Sequence, residues 1–227
     1  DGFDPNDIEI IIVDNCSIDN YTNYPKIGDK GTSTYLMGRG AYYSTRLRVL
    51  YDPIAGNHSA RNKGARIAKG KYVFFSDGHM QYRPGAFKYG IKAVDESGGL
   101  VHFVIAWQGA YPPAPSGQGY GDTIKLGEEI KGTWNNRAVS TTDWFYIAAQ
   151  GHCSVMANRA QFLKFGGYPD VHRTYGGGEF YTDMKWWMLG SCVVTEPKAI
   201  GYHLASGRGY SYHHDDYLHN VLNIAYA

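Results

Sequence analysis

The sequence predicts an α/β fold, with a mostly parallel central sheet flanked by helices. Residues 8–13 are β-branched and nearly all apolar, as expected of a strand that is buried on both faces. Apolar runs at 46–51 and 71–76 indicate two further strands. Residues 57–69 have the apolar spacing of a helix, which Gly70 ends. Strands and helices that alternate in this way form parallel sheets covered by helices.

The second half of the sequence shows weaker patterns of both kinds. Residues 109–121 are too rich in proline and glycine for a regular element, so we expect a loop there. The other predicted elements are a helix from about Pro84, strands near 100–106, 142–148 and 152–157, and helices near 159–165 and 178–189.

Composition sets broad limits on the class of protein. The 227 residues, 43% hydrophobic and 19% charged, suffice for one large domain or two small ones. A net charge of +1 gives no electrostatic reason to expect a polyanionic partner. Three cysteines without CxxC spacing predict neither a zinc knuckle nor a disulfide framework, so we expect a reducing, cytoplasmic location. The sequence contains no apolar run of membrane-spanning length and no signal-peptide pattern, and any targeting segment would precede residue 1. Oligomeric state is not readable.

Polar side chains follow two of the predicted strands. Asp77 and His79 are two residues apart, so they point the same way in extended backbone, and Gly78 between them leaves room for close approach. A carboxylate oxygen and an imidazole nitrogen suit Mn²⁺ or a similar ion. Asp14 and Asn15 end the first strand. Because ligands of such sheets bind beyond the carboxyl ends of the strands, we expect a site there.

Several motifs in order resemble those of a known enzyme family. Residues 11–19 and 59–79 look like the nucleotide-sugar half of a family 2 type glycosyltransferase. Asp-x-His at 77–79, where Asp-x-Asp is commoner, and Tyr-Gly-Gly-Gly-Glu-Phe at 175–180 before a tryptophan-bearing helix are similar to the polypeptide N-acetylgalactosaminyltransferases. The resemblance runs from about 8 to 204. It implies a single GT-A domain over 1–227: a Rossmann-like nucleotide-sugar half (1–108), an acceptor and catalytic half (109–203), and a C-terminal lid and tail (204–227).

The resemblance also implies the residues of a donor site. Asp77, His79 and His203 would bind Mn²⁺ or Mg²⁺, although His213, His214 and His219 compete with His203 for the third position. The residues expected to contact the nucleotide-diphosphate sugar are Asp14, Asn15, Arg61, Asp77, Gly78, His152 and Arg208. Asn15 would read the base, which favours uridine, and Arg61 and Arg208 would contact the diphosphate.

Two carboxylates are candidates for the chemistry. Glu179 opens the helix that follows three glycines, and Asp183 lies one turn later on the same stripe. A carboxylate here is a general base in an inverting transferase, whereas in the retaining enzymes it positions donor or acceptor. Phe180 stands where the family has Asp or Asn, so the stereochemical outcome stays open and Asp183 is the alternative to Glu179.

The predicted function is therefore transfer of a hexosyl or N-acetylhexosaminyl group from a nucleotide-diphosphate sugar to a hydroxyl. A glycan or protein acceptor is expected, and a hydroxylated DNA base is less favoured by the near-neutral charge. One alternative is a catalytically weak sugar-nucleotide-binding module. Phe180 favours it, and so does the lack of the family's first strand, which we expect either upstream of Asp1 or trimmed. The other is a nucleotidyltransferase, which would consume a nucleoside triphosphate.

Overall fold

The computed structural model describes residues 3–15, 47–53, 56–108, 118–126, 130–135, 137–204 and 212–226. After a 3₁₀ turn at Pro5–Asp7, eleven strands and five helices occur in this part of the chain. The strands are β1 (Ile10–Asn15), β2 (Leu47–Asp52), β3 (Tyr72–Ser76), β4 (Met80–Tyr82), β5 (Leu100–Gln108), β6 (Gln118–Gly119), β7 (Asp122–Leu126), β8 (Ile130–Trp134), β9 (Phe145–Tyr146), β10 (Ser154–Asn158) and β11 (Val193–Leu204). The helices are α1 (Asn57–Ile67), α2 (Ala86–Ser97), α3 (Arg159–Lys164), α4 (Gly178–Met188) and α5 (His214–Tyr226).

The chain divides into two compact units. The first unit comprises Lys71–Gly167 and Glu179–Ser206, and the second comprises Gly2–Gly70, Tyr168–Gly178 and Gly207–Ala227. In the second unit β1 and β2 pair in parallel, with Asn15 opposite Asp52. No helix in the described parts of the chain is both long and apolar enough to cross a membrane.

The first unit is built on a seven-stranded sheet. Its order is β3-β10-β5-β11-β4, with β6 paired to β5 and β9 paired to β11. The pairing of β11 with β5 is parallel, while β10 and β4 run antiparallel to their neighbours. The predicted α/β class, a central sheet flanked by helices, is confirmed. This sheet is mixed rather than mostly parallel, because only β11 and β5 pair in parallel within it.

Helix α2 packs closely on the centre of that sheet. Ala86, Ala93 and Val94 on its inner face are buried against a core that includes Phe103 of β5. A Cβ atom at Gly90 would lie 2.6 Å from the Phe103 ring, so only glycine permits this approach of helix and strand. The apolar face of α2 and the buried strand β5 therefore form the core on which the site is built.

Most of the predicted elements are present, but strands β4, β6, β7, β8 and β11 were not predicted, and three further elements differ from expectation. Helix α2 begins at Ala86 rather than Pro84, because Pro84 and Gly85 form a turn in which Gly85 has a φ of 89°. The strand expected at 142–148 is confined to β9. Residues 214–226, expected as part of a lid and tail, form helix α5. Within the expected loop at 109–121, Gln118 and Gly119 instead form β6, which pairs with β5, and residues 109–117 lie outside the described residues. Residues 205–211, which include Arg208, also lie outside them.

Candidate active site

A carboxylate and two imidazoles converge at the carboxyl end of β3. Asp77 and His79 lie in the turn between β3 and β4, where the backbone N–H of Asp77 donates to the carbonyl of Cys153 at 3.1 Å. The antiparallel register of β4 and β11 sets His203 opposite Met80 and therefore beside His79. The Nε2 atoms of the two histidines are 3.0 Å apart, and His203 Nε2 lies 3.7 Å from Asp77 Oδ2. Sheet register, which no local motif specifies, thus brings the third residue to the first two.

This donor set fits a divalent ion such as Mn²⁺. Each of the three side chains offers one ligand atom, and these atoms lie within 4.8 Å of one another. One carboxylate oxygen and two imidazole nitrogens are ligands that Mn²⁺ accepts. Burial lowers the pKa of His203 and neighbouring His79 lowers it further, against the opposing effect of Asp77, so the ring is neutral at pH 7 and can coordinate. His79 is exposed, which leaves this end of the site open to a ligand.

A second cluster of the same residue types lies inside the first unit. Asp183 Oδ1 is 2.8 Å from His152 Nε2 and 3.1 Å from His102 Nε2, and the three side chains have no exposed surface. The other carboxylate oxygen accepts the backbone N–H of Gln150 at 2.8 Å. Both histidines therefore donate Nε2–H to one buried carboxylate, which requires the Nε2-protonated tautomer of each.

The charge of Asp183 is compensated by these donors. Burial by itself would raise the pKa of Asp183, but the two histidines and their hydrogen bonds lower it below its usual value. Burial lowers the pKa of His152, although Asp183 acts in the opposite direction, so His152 is held neutral. The cluster joins α4 to β5 and to the segment before β10, and that segment also holds the backbone of Asp77 through Cys153. The buried cluster of His102, His152 and Asp183 therefore links these elements inside the first unit, and we call it the brace.

Stability should fall in acid because of this brace. His152 has a lower pKa folded than unfolded, so below about pH 6.5 the unfolded chain binds more protons and the free energy of unfolding decreases. Asp183 also has a lowered folded pKa, so its contribution is present above about pH 4 and is lost below it. Urea unfolding between pH 8 and pH 4 measures the His152 contribution. In a His152→Gln variant the decrease just below pH 6.5 should be weaker, and an unchanged profile would contradict the assignment.

Glu179 differs from Asp183 although both lie on one stripe of α4. Glu179 is in the first helical turn and is only partly buried, and its charge acts on the pKa of His152. Asp183 is fully enclosed one turn later. Of the two predicted catalytic carboxylates, only Glu179 therefore has the access to solvent that a group contacting a substrate needs.

The glycine-rich loop before Glu179 is held by α5, within the second unit. Asn220, which is fully buried, accepts the N–H of Arg173 at 2.7 Å and donates to the carbonyls of Tyr175 at 2.9 Å and Gly176 at 3.0 Å. Gly176 has a φ of 96°, and a Cβ there would lie 2.4 Å from the Tyr217 ring. The amide of Asn220 thus replaces the backbone partners that this irregular loop lacks.

Replacing Asn220 with alanine should destabilise the protein. The change leaves buried groups of the 173–176 loop without partners, at about 1–3 kcal/mol each, so we expect a loss of about 2–4 kcal/mol. For a chain of this length that corresponds to a decrease in Tm of roughly 5–15 °C. Thermal unfolding followed by circular dichroism measures it. The matched control is Asn223→Ala on the same helix, since the amide of Asn223 contacts His219 within α5. Equal Tm values for Asn220→Ala and Asn223→Ala would contradict the role of Asn220.

The other predicted donor contacts lie in the second unit. Asp14 is buried, and Asn15 Oδ1 accepts the N–H of Gly56 at 2.8 Å, just before α1. The Arg61 guanidinium lies over the Tyr168 ring at 5.3 Å. Asp52, at the end of β2, was not singled out from the sequence. It is buried and accepts a hydrogen bond from Lys63 Nζ at 2.6 Å. Asp14, Asn15 and Arg61 thus have defined surroundings within one unit, and their roles toward a donor stay predictions.

The architecture of the chain matches a known fold of sugar-transferring enzymes. A sheet flanked by helices, with a metal-competent strand end in its first unit, is the GT-A arrangement, and the chain superposes on solved GT-A structures at 14–18% identity. Residues 3–110 match the family model of glycosyl transferase family 2. The resemblance to family 2 type GT-A glycosyltransferases is thereby confirmed. No curated protein matches the chain by sequence.

Three solved structures illustrate the similarity. GalNAc-T7 with UDP, GalNAc and Mn²⁺ has a TM-score of 0.74 at 15% identity, covering 97% of this chain and 42% of that one. The mannosyltransferase PcManGT from Pyrobaculum calidifontis, with GDP-Man and Mn²⁺, has a TM-score of 0.57 at 18% identity, with coverages of 92% and 51%. S. aureus TarS with UDP-GlcNAc has a TM-score of 0.59 at 15% identity, with coverages of 99% and 58%. The chain spans about two fifths to three fifths of their lengths.

Proposed function

We propose that the chain is a metal-dependent glycosyltransferase that moves a sugar from a nucleotide-diphosphate donor to a hydroxyl acceptor. The observation that carries the proposal is the convergence of Asp77, His79 and His203 at the end of β3, with all three ligand atoms within 4.8 Å. In α/β sheets the carboxyl ends of strands are where ligands bind. A diphosphate leaving group needs its charge neutralised before it departs, and this residue set suits that task.

The roles of the residues follow from their chemistry. Asp77, His79 and His203 would hold Mn²⁺ or Mg²⁺, which when bound supplies Lewis acidity toward the diphosphate oxygens. Glu179, partly exposed at the start of α4, takes the proton of the acceptor hydroxyl in an inverting reaction or positions the substrates in a retaining one. Asp183 and His152 act through the brace, which keeps α4 and the backbone of Asp77 in place.

The nature of the donor is supported by the similar proteins. GalNAc-T7 was solved with UDP, GalNAc and Mn²⁺, TarS with UDP-GlcNAc, and PcManGT with GDP-Man and Mn²⁺. We propose a uridine donor here, contacted by Asp14, Asn15 and Arg61. Gly78 would lie close to the diphosphate, and Arg208, which is outside the described residues, would contact it. A hexosyl or N-acetylhexosaminyl group is the proposed cargo, and a glycan or protein hydroxyl the proposed acceptor.

The test is release of nucleoside diphosphate from a panel of donors. UDP-Glc, UDP-Gal, UDP-GlcNAc, UDP-GalNAc and GDP-Man are incubated with the protein and Mn²⁺, and free diphosphate is measured with and without EDTA. We expect turnover of a UDP-sugar that EDTA abolishes. Binding of a donor by calorimetry without turnover of any would overturn the enzyme assignment in favour of a binding module. Release of pyrophosphate from a nucleoside triphosphate would instead establish a nucleotidyltransferase.

A further inference from the structure

A band of exposed aromatic side chains lies on the first unit where β9 meets the end of α4. Tyr146 is 62% exposed and Trp187 is 38% exposed. The ring centroid of Tyr146 is 5.8 Å from that of Trp187 and 5.6 Å from that of Trp144. Tyr146 and Trp187 are thus an exposed pair of rings, and the partly buried ring of Trp144 continues from Tyr146 toward the core. Neighbouring aromatic side chains that are exposed to solvent are typical of a ligand-binding or interaction site.

Two cavities share Tyr146 as a common wall. The larger, of about 450 Å³, lies between Tyr146 and Trp187 and is also lined by Phe165, Gln161 and Ser191. The smaller, of about 190 Å³, lies on the other side of Tyr146 and is lined among others by Asn135. The larger volume is in the range of roughly 300–1,000 Å³ that small-molecule sites occupy. Together the two cavities that share Tyr146 form a groove on the first unit.

The lining of both cavities is polar but uncharged. Among the described residues that line them there is no Asp, Glu, Lys, Arg or His. The polar side chains are the amides of Gln161 and Asn135 and the hydroxyls of Ser97, Ser191, Tyr120 and Tyr146, which both donate and accept hydrogen bonds. A nucleotide or other charged ligand would lack a counter-charge here. A neutral polyhydroxyl ligand, with apolar ring faces and hydroxyl edges, matches both the aromatic faces and the amides.

The walls of the larger cavity are fixed by hydrogen bonds. Gln161 Nε2 donates to the carbonyl of Gly98 at 3.0 Å and lies 3.2 Å from Ser191 Oγ, which itself donates to Gly98 at 3.0 Å. Trp187 Nε1 donates to the carbonyl of Ala148 at 3.2 Å. A ligand that binds here therefore loses little free energy to ordering of the protein.

We propose that this groove, centred on Tyr146 and Trp187, binds a neutral oligosaccharide. It is separate from the metal-competent cluster, because Tyr146 pairs with Val194 near the start of β11, whereas His203 lies nine residues later on the same strand. The register of β11 on β5 shifts between Glu196 and Ile200, so Val194 lies opposite Val101 and His203 opposite Trp107. Six residues of β5 at about 3.3 Å each give a separation of roughly 20 Å. Binding at the groove does not depend on the proposed transfer reaction. In an enzyme that acts on glycans, it would raise the local concentration of a chain bound at both places.

Calorimetry and tryptophan fluorescence with cellohexaose, maltohexaose and N-acetylchitohexaose test the proposal. We expect saturable binding of at least one of these neutral probes at millimolar or lower concentration. Tyr146→Ala should weaken it about tenfold, since loss of one stacked ring costs about 1.4 kcal/mol, while Tyr146→Phe should retain it. The matched control is Tyr89→Ala, which removes an exposed tyrosine of α2 that lines neither cavity.

Several results would overturn the proposal. They are binding of none of the three probes, equal affinity of wild type and Tyr146→Ala, and loss of binding in Tyr89→Ala. Sedimentation velocity tests whether a second copy of the chain binds here instead. Self-association of wild type that is absent in Tyr146→Ala and unaffected by the sugars would show that the band is a contact between copies. Donor turnover measured on the same Tyr146→Ala protein separates failure of this proposal from failure of the proposed transferase, because the groove lies apart from the candidate metal ligands.

Discussion

Replacing His79 with alanine is expected to abolish manganese-dependent release of nucleoside diphosphate while the protein stays folded. The imidazole is exposed in the turn after β3 and contacts the ring of His203, so its loss should change the free energy of unfolding by about 0.5 kcal/mol or less. Removing one of three candidate ligands should weaken metal affinity and turnover by at least about 100-fold, since even outer partners of ligands are worth 10–100-fold.

Mn²⁺ affinity, measured by calorimetry or by electron paramagnetic resonance of the free ion, should fall together with turnover. The control is His214→Ala, which removes an exposed histidine of α5 from the group that competes with His203 on sequence grounds alone. A His79→Asp variant should keep part of both activities, since a carboxylate also suits Mn²⁺. Full turnover of His79→Ala, or loss of Mn²⁺ binding in His214→Ala, would show that the cluster is not the metal site.

Replacing Asp183 with alanine is expected to destabilise the first unit strongly. The carboxylate accepts Nε2–H of His102 and His152 and the N–H of Gln150, and all of these groups are buried. Its removal leaves three donors without an acceptor in a dry interior, so we expect a loss of about 3–5 kcal/mol. Urea denaturation gives the value from the shift of the midpoint at constant slope.

Glu179→Gln is the matched change, four residues earlier on the same helix. Because Glu179 is only partly buried, its substitution should leave the free energy of unfolding within about 0.5 kcal/mol while transfer falls about 100-fold or more. The two variants thus separate a stabilising carboxylate from a reacting one. If Asp183→Asn kept wild-type stability and lost turnover, whereas Glu179→Gln stayed active, Asp183 would be the working group.

Strands β1, β2 and β3 and helices α1 and α2 could be predicted because each carries its own pattern of apolar residues. Strand β11 could not. Pro197 interrupts it, and a proline argues against a central strand. The structure accommodates the proline because the register of β11 on β5 shifts between Glu196 and Ile200. Helix α5 was also not predicted, although Tyr217, Val221 and Ile224 stand at helical spacing. Two of its buried positions are Asp216 and Asn220, where hydrogen bonds to other parts of the chain replace apolar contacts.

The residues of the candidate site also differ in how far the sequence indicates them. His102 was missed although a polar residue inside the apolar run 100–106 is a signal that a buried partner exists. That partner, Asp183, is 81 residues away in the sequence. Asn220 had no signal of this kind, because its contacts are to backbone groups whose positions follow from the fold.

Local patterns in the sequence suffice to infer the α/β class, the strand that ends at Asp77 and the residue types able to hold a divalent ion, because these depend on periodicity and side-chain chemistry. The folded structure was needed to place His203 beside His79, since the register between β4 and β11 is a long-range property. It also distinguished Glu179 from Asp183, which helical spacing places on one stripe, because burial depends on what packs against each turn.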